Sequence, residues 1–297
     1  MAAAGTEPKS VRNWEARGRR EVLAGHEVFV IDAAPTEVES GPPLLVLHGF
    51  PTSSFDWRHV LPAINRHRRV LLLDFLGYGL SSKPDLAYTM ALQADVAQAF
   101  VESRGLEGVS LVTNDMGDTV GGELLARSLE GTLPFQILRR VITNGSIYIE
   151  MANLSDGQLF LLALPDERLA SPFDPGGTGF RAGLARVFSA EHPASDEELD
   201  AQWWLTRREG GDQLLPRLIR YIEERRANEG RFTGAIEEHP SPLTVLWGDQ
   251  DPIAVYAMAE RLVAARPDAT LVRLEGVGHL PMIETPAAVA RAILAGT

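Results

Sequence analysis

Three polar residues stand just past apolar runs in this chain, and their types suggest one reaction. Asp115 lies in "SLVTNDMGDTVGGELLA" (residues 110–126), where an apolar run stops at a turn and continues as a helical pattern. Thr113 and Gly117 flank it two positions away on either side. Small flanking residues are what a sharp strand-to-helix turn needs if it is to lift its central side chain above a sheet. Asp251 follows in "LWGDQDPIA" and His279 in "LEGVGHLPMIETP", while "HGFPTSSFDW" ends a fourth apolar run at residues 48–57. A carboxylate with a pKa near ~4 is already ionised at neutral pH. It suits attack on a saturated carbon bearing a strained or good leaving group, which gives an alkyl ester of the protein. A histidine oriented by a second carboxylate can then activate the water that breaks that ester. The backbone N–H groups of Phe50 and Met116 are the expected oxyanion donors.

Competing assignments exist for several positions. Asp249 could replace Asp251 as the acid, although the G-x-x-D spacing favours Asp251, and Glu150, past another strand, is a further candidate. His48 reads as a loop organiser rather than a base. Asp118 reads as a first-turn carboxylate that favours the helix dipole. Asn114, directly before the nucleophile candidate, has no role that the sequence explains. No ligand spacing suggests a metal, and no cofactor is expected. "LDFLGYGLSS" lacks the third glycine of a dinucleotide loop, so a nucleotide is not expected either.

The elements that must position these residues follow from apolar periodicity. "VLAGHEVFVIDAA" predicts a hairpin. "PPLLVLHG", "RRVLLLDFLG", "GVSLVTN", "RRVITNGS", "SPLTVLWGD" and "ATLVRLEGV" are short continuous apolar runs, as strands buried on both faces require. Helical patterns alternate with them, including "YTMALQADVAQAFVESRG" and "TPAAVARAILAG", where Thr285 is a plausible N-cap before Pro286. The class is therefore α/β, with a mostly parallel central sheet flanked by helices. The alternation breaks over 147–238, which holds amphipathic helices and Gly/Pro loops but no buried-strand run. The expected organisation is a core over 1–146, a helical lid over 147–238 and the rest of the core over 239–297. The lid would cover the carboxyl edge of the sheet, where such sheets bind ligands.

Composition narrows the partners. The 297 residues are 45% hydrophobic and 23% charged, with a net charge of −12, which disfavours nucleic acid and anionic membranes. The absence of cysteine excludes disulfides and thiol chemistry and fits a cytoplasmic protein. The start lacks the apolar segment of a signal peptide. No run approaches the ~20 apolar residues that span a bilayer, and roughly the first ten to twelve residues are expected to be loose. Nothing in the sequence indicates oligomeric state.

From about residue 41 onward, "HGFPTSS..W", "LDFLGYGLSSKP", "NDMGD" and "GVGHLPMIETP" resemble the α/β-hydrolase superfamily. The order aspartate nucleophile, acid, histidine matches its aspartate branch, the epoxide hydrolases and haloalkane dehalogenases, with particular similarity to mesoderm-specific transcript-like hydrolases. The resemblance implies an α/β-hydrolase fold and a triad of Asp115, Asp251 and His279. It implies two lid tyrosines over the nucleophile that polarise an epoxide oxygen. Tyr221 matches the later one in position; Tyr148, near the start of the lid, is a weaker counterpart. Met116 stands where dehalogenases usually carry a tryptophan, and Phe50 where they often carry a second halide donor. Both departures favour epoxide over halide. Trp203 and Trp204 in the lid are expected to pack on the core, but an inward tryptophan could contact substrate or donate to a halide. The function implied is hydrolysis of small nonpolar epoxides to vicinal diols, with water as co-substrate. A haloalkane dehalogenase, and a non-catalytic hydrolase homologue that binds a ligand or signals, are the alternatives.

Overall fold

A computed structural model of the chain describes residues 6–297. Its frame is one eight-stranded sheet in the order β1-β2-β4-β3-β5-β6-β7-β8. The strands are β1 Arg19–Leu23, β2 His26–Ala33, β3 Leu44–Leu47, β4 Val70–Leu73, β5 Gly108–Asn114, β6 Gln136–Thr143, β7 Leu243–Gly248 and β8 Thr270–Leu274. β2 pairs antiparallel with β1 and β4, and every other pairing is parallel. The chain is thus an α/β-hydrolase fold. The four-residue β3 and β4 are wholly buried, which explains why they read as continuous apolar runs rather than alternating ones.

The helices are α1 Lys9–Glu15, α2 Leu61–Ile64, α3 Met90–Ser103, α4 Met116–Leu129, α5 Asp156–Ala163, α6 Thr178–Ala185, α7 Asp196–Arg207, α8 Leu215–Leu218, α9 Tyr221–Ala227, α10 Glu229–Glu238, α11 Ala257–Ala265, α12 Pro281–Glu284 and α13 Pro286–Gly296. Two apolar clusters flank the sheet. One gathers α3, α4 and α11 with lid residues such as Leu218 and Ile222; the other gathers α1 and α13 with Leu199 and Leu205 of α7. Between β6 and β7 the described chain is helical, α5 to α10 with short 3-10 turns. The last lid helix returns onto the core tightly. A Cβ on Gly122 of α4 would lie 2.8 Å from the carbonyl of Phe232 in α10, so the two helices meet at backbone distance.

Three expectations need correction. The start is ordered from Lys9 onward: α1 docks through buried Val11 and Trp14, whose indole donates to Ser54 Oγ. Burying a tryptophan offsets the ordering cost that a short terminal helix otherwise fails to meet. The expectation for residues 1–5 lies outside the described residues. Thr285 occupies the N-cap position of α13 without a side-chain cap; its hydroxyl points back to the Pro281 carbonyl at 3.4 Å, because α12 immediately precedes it. Asp118 is in the first turn of α4 but is fully buried, and neither carboxylate oxygen has a hydrogen-bond partner in good geometry. Burial therefore pushes its carboxyl well up, and it is not a solvated dipole partner.

Candidate active site

The strand order reverses between β3 and β5, since β4 lies on one side of β3 and β5 on the other. Loops at the carboxyl ends of these two strands diverge and leave a crevice. Phe50 follows β3 and Asp115 follows β5, so both fall at that crevice. Asp115 has φ 52° and ψ −115°, a conformation that L-residues rarely adopt. Glycines make room for it. A Cβ on Gly49 would stand 2.6 Å from Asp115 Cβ, and one on Gly117 would stand 2.7 Å from the His48 carbonyl. Gly117 is thus required by the backbone of β3's end, and Gly49 by the Asp115 side chain.

The Asp115 carboxylate is held from two sides. Oδ2 accepts from the backbone N–H of Phe50 at 3.0 Å and of Met116 at 2.5 Å. Oδ1 lies 3.4 Å from His279 Nε2. His279 Nδ1 donates to Asp251 Oδ2 at 2.8 Å, and Asp251 Oδ1 accepts from the N–H groups of Ile253 and Ala254. Residues 115, 279 and 251 therefore form one buried row, with a hydrogen bond between His279 and Asp251 and a charge contact between His279 and Asp115. Burial alone would raise the Asp115 pKa; the hydrogen bond and charge of His279, with Arg225 and the Phe50 N–H, outweigh it and hold the carboxyl below the ordinary value. Burial opposes the His279 cation, but Asp251 and Asp115 overcome it and raise the imidazole well above its usual range. Both directions favour a carboxylate facing an imidazolium.

The competing acids are placed elsewhere. Asp249 pairs with Arg273 at 2.7 Å, and Glu150 is an exposed partner of Arg261. His48 accepts from the Phe75 N–H through Nε2, its Nδ1 faces the Gly49 carbonyl, and burial keeps it neutral. Asn114 donates to the Thr143 carbonyl at 3.0 Å and ties the elbow to β6, while its Oδ1 has no partner.

Above the chain of three lies a cavity of about 360 Å³. Its walls are mostly apolar, with Phe50, Leu161, Phe180 and Trp203 among them. The exposed pair Phe160 and Phe173, edge to face at 5.3 Å, stands at its mouth. Trp203 therefore lines the cavity, packed 5.3 Å from the Phe180 ring, whereas Trp204 lies beside Arg208 outside it. Tyr221 is buried next to the cavity, its ring 5.5 Å from that of Phe50. Burial and then the Asp115 charge raise its phenol, which reaches toward the cavity-lining Gln158. Tyr148 is not brought to this place. Its hydroxyl donates to Glu237 at 2.6 Å and Arg261 stacks on its ring at 3.9 Å, so an ion-pair cluster at the edge of the lid claims it.

Two residues at the site escaped sequence reasoning. Asn144, with φ 48°, donates to Asp251 Oδ2 at 2.8 Å and accepts from the Gly248 N–H at 3.0 Å, so it fixes the Asp251 carboxylate. Its signal was the Asn-Gly pair directly after a buried strand. Arg225 carries no such signal; in "IEERRANEG" it looks like one more solvated charge.

The family model described as "Alpha/beta hydrolase family" matches residues 44–292. LipZ of Mycobacterium tuberculosis is 40% identical over 286 residues, 96% of this chain and 97% of that protein. The mouse mesoderm-specific transcript protein is 30% identical, over 93% of this chain and 84% of its own length. A haloalkane dehalogenase of Agrobacterium fabrum is 35% identical over 116 residues, 39% of this chain and 38% of its own. Among solved structures, the haloalkane dehalogenase DbeA from Bradyrhizobium elkani superposes with a TM-score of 0.74 at 20% identity, covering 94% of this chain and 96% of that one, a likeness of fold.

Proposed function

Because this chain belongs to the alpha/beta hydrolase family, we propose that it is a hydrolase working through a covalent ester on Asp115, and that it opens small nonpolar epoxides to vicinal diols. One observation carries this reading. Two backbone N–H groups already hold Oδ2 of the Asp115 carboxylate itself, leaving Oδ1 on the side of His279. In an ester formed through Oδ1, Oδ2 is the carbonyl oxygen that turns anionic when water attacks. The donors therefore serve the hydrolysis of an enzyme ester; removal of one such donor typically costs ~3 kcal/mol.

Asp115 Oδ1 forms a bond to a ring carbon as the C–O bond of the oxirane breaks. The Tyr221 hydroxyl gives its proton to the departing oxygen, a role suited to a phenol that donates without charge at neutral pH. Esterification removes the Asp115 charge, one of the two that hold the imidazolium. The His279 pKa then falls, and its proton restores the phenol. Neutral His279 takes a proton from water, and the hydroxide attacks Cγ of Asp115. Collapse expels the alkoxide, which takes the proton from His279. The regenerated carboxyl returns its own proton to His279 and restores the resting pair. Asp251 orients the imidazole throughout.

Whole-protein mass spectrometry tests the scheme. His279→Gln, incubated with styrene oxide, is expected to accumulate a stoichiometric adduct that Asp115→Ala does not form. No adduct with any reactive epoxide or haloalkane sinks it. Trp203 in the cavity wall favours a second reading, in which its indole helps hold a departing halide. Halide release from 1,2-dibromoethane without diol formation from styrene oxide would select that reading.

A further inference from the structure

Beneath the elbow lies a cation that the scheme above leaves unused. Arg225 of α9 is 1% exposed. Its Nε donates to Thr119 Oγ1 at 2.7 Å, one terminal nitrogen to the Ser146 carbonyl at 2.8 Å and the other to the Asp115 carbonyl at 3.4 Å. Every acceptor is neutral. A buried guanidinium hydrogen-bonded to no carboxylate is costly, and a cation at a helix N-terminus, here that of α4, opposes the helix dipole. The opposite charge nearby is that of Asp115, since burial pushes Asp118 at the same end of α4 toward its neutral form; neither carboxyl is hydrogen-bonded to the guanidinium. The Arg225 guanidinium also stacks on Tyr221, 5.1 Å from its ring centre and four residues earlier on the same helix. One helix thus reaches the Asp115 main chain with a charge and sets a phenol against Phe50, the residue whose N–H holds the Asp115 carboxylate.

We propose that Arg225 is a positioning residue of the reaction: docking of α9 inserts a positive charge under the elbow that keeps Asp115 ionised and its carbonyl in place, and sets Tyr221 above the site. Nucleophile and lid are thereby coupled, so that Asp115 reaches its full reactivity only beneath a docked lid. The proposal rests on the assignment of Asp115 as nucleophile. Six other groups bear on Asp115: His279 from the loop after β8, Asp251 from the loop after β7 through its bond to His279, Asp118 from α4, His48 from the loop after β3, Tyr78 from the loop after β4, and Tyr221. None of the six except His279 supplies a compensating positive charge, and Arg225 is the remaining cation.

Three variants separate charge from shape. Arg225→Gln removes the charge and keeps part of the hydrogen bonding, Arg225→Lys keeps the charge and loses the fork, and Thr119→Val removes one acceptor alone. Two readouts apply. One is the acid limb of the single-turnover alkylation profile with styrene oxide. The other is the ¹³C-carboxylate titration of Asp115, assigned through Asp115→Asn, which needs no turnover. Arg225→Gln is expected to move both upward by about one pH unit, a tenfold change in acidity. Arg225→Lys is expected to leave the acid limb in place while alkylation slows at least tenfold. A merely structural arginine would lower thermal stability in all three variants and move neither titration. A folded Arg225→Gln protein with an unshifted Asp115 titration overturns the proposal. If wild type itself forms no adduct, the assignment of the nucleophile fails separately, and the carboxylate titration still decides whether Arg225 sets the Asp115 charge. Should Arg225→Gln fail to fold, Arg225→Lys decides: an acid limb that shifts, or alkylation at the wild-type rate, overturns the proposal.

Discussion

Asp115 and His279 form a buried ion pair whose two pKa displacements have opposite signs, and that fixes the pH response. The Asp115 pKa is lowered on folding, so its ionisation, and the stability it contributes, persist above the ordinary carboxylate range and fade only as pH falls through the depressed value. The His279 pKa is raised, so its contribution is complete below about pH 6.5 and is lost as pH rises through the folded value. In the proposed scheme alkylation needs the Asp115 carboxylate and the Tyr221 proton, but not a neutral histidine. Its single-turnover rate is expected to stay level from about pH 5 to about pH 8, whereas an acid limb near pH 6 would show that a neutral histidine is needed in the first step. Tyr221→Phe is expected to slow epoxide opening by roughly 10²- to 10⁴-fold, the usual worth of a placed general acid. Alkylation by a haloalkane should stay within a few-fold of wild type, since a halide needs no proton. Equal losses with both substrates, measured by stopped-flow quench, would assign Tyr221 to packing alone.

At the scale of elements, the helices between β6 and β7 are fastened to the loop after β3 by a buried polar clasp. Gln202 of α7 donates to Asp56 Oδ1 at 2.7 Å, Thr52 donates to Asp56 Oδ2 at 2.5 Å, and Arg58 pairs with Glu198 of α7. Thr52 and Trp203 both line the cavity, so the clasp joins two of its walls. Burial raises Asp56 to about 7, with the neighbouring Glu198 charge adding to it against the lowering by Thr52, Gln202 and Arg58. The folded state therefore holds a proton that the unfolded chain releases near pH 4. Stability falls as pH rises from about 4 to about 7, by at most on the order of 4 kcal/mol. Asp56→Asn, which cannot ionise, is expected to melt higher than wild type at pH 8.5 and close to it at pH 5. An unchanged wild-type melting temperature between those two pH values would show that Asp56 is charged at both.

Over the whole molecule, charge and shape restrict what can enter. Asp115, Asp156, Asp174 and Asp212 line the cavity together with His279, and among the lining residues no lysine or arginine appears. The protein carries −12 overall. Electrostatic focusing in a low-dielectric cleft then repels anions. Of chain-matched epoxides, one ending in a carboxylate is expected to show at least a tenfold lower kcat/KM than its methyl ester at low salt, and the gap should narrow in 0.5 M salt as screening shortens to a few ångströms. Equal values at low salt would contradict this.

The frame and the placement of the candidate site residues were legible in the chain. All eight strands were marked by apolar runs or alternation, because burial on one or both faces of a sheet writes itself into local periodicity. Asp115, Asp251 and His279 could be named because strand ends of a parallel sheet share one edge, whatever the helices between them do. What distant segments do to one another was not legible. Asp118 and Arg225 look like ordinary helix charges until α4, α9 and the loop after β6 close over them. Tyr148 and Tyr221 both lie in the stretch between β6 and β7, and only the packing of α9 and α10 sends one against Phe50 beside the cavity and the other to Glu237. Trp203 and Trp204 are adjacent, and helical rotation of about 100° per residue divides them between the cavity wall and the flank of the second apolar cluster. Periodicity is a local quantity that survives in one dimension. The direction of a lid side chain and the charge state of a buried group depend on contacts between residues a hundred positions apart, and those exist only in the folded chain.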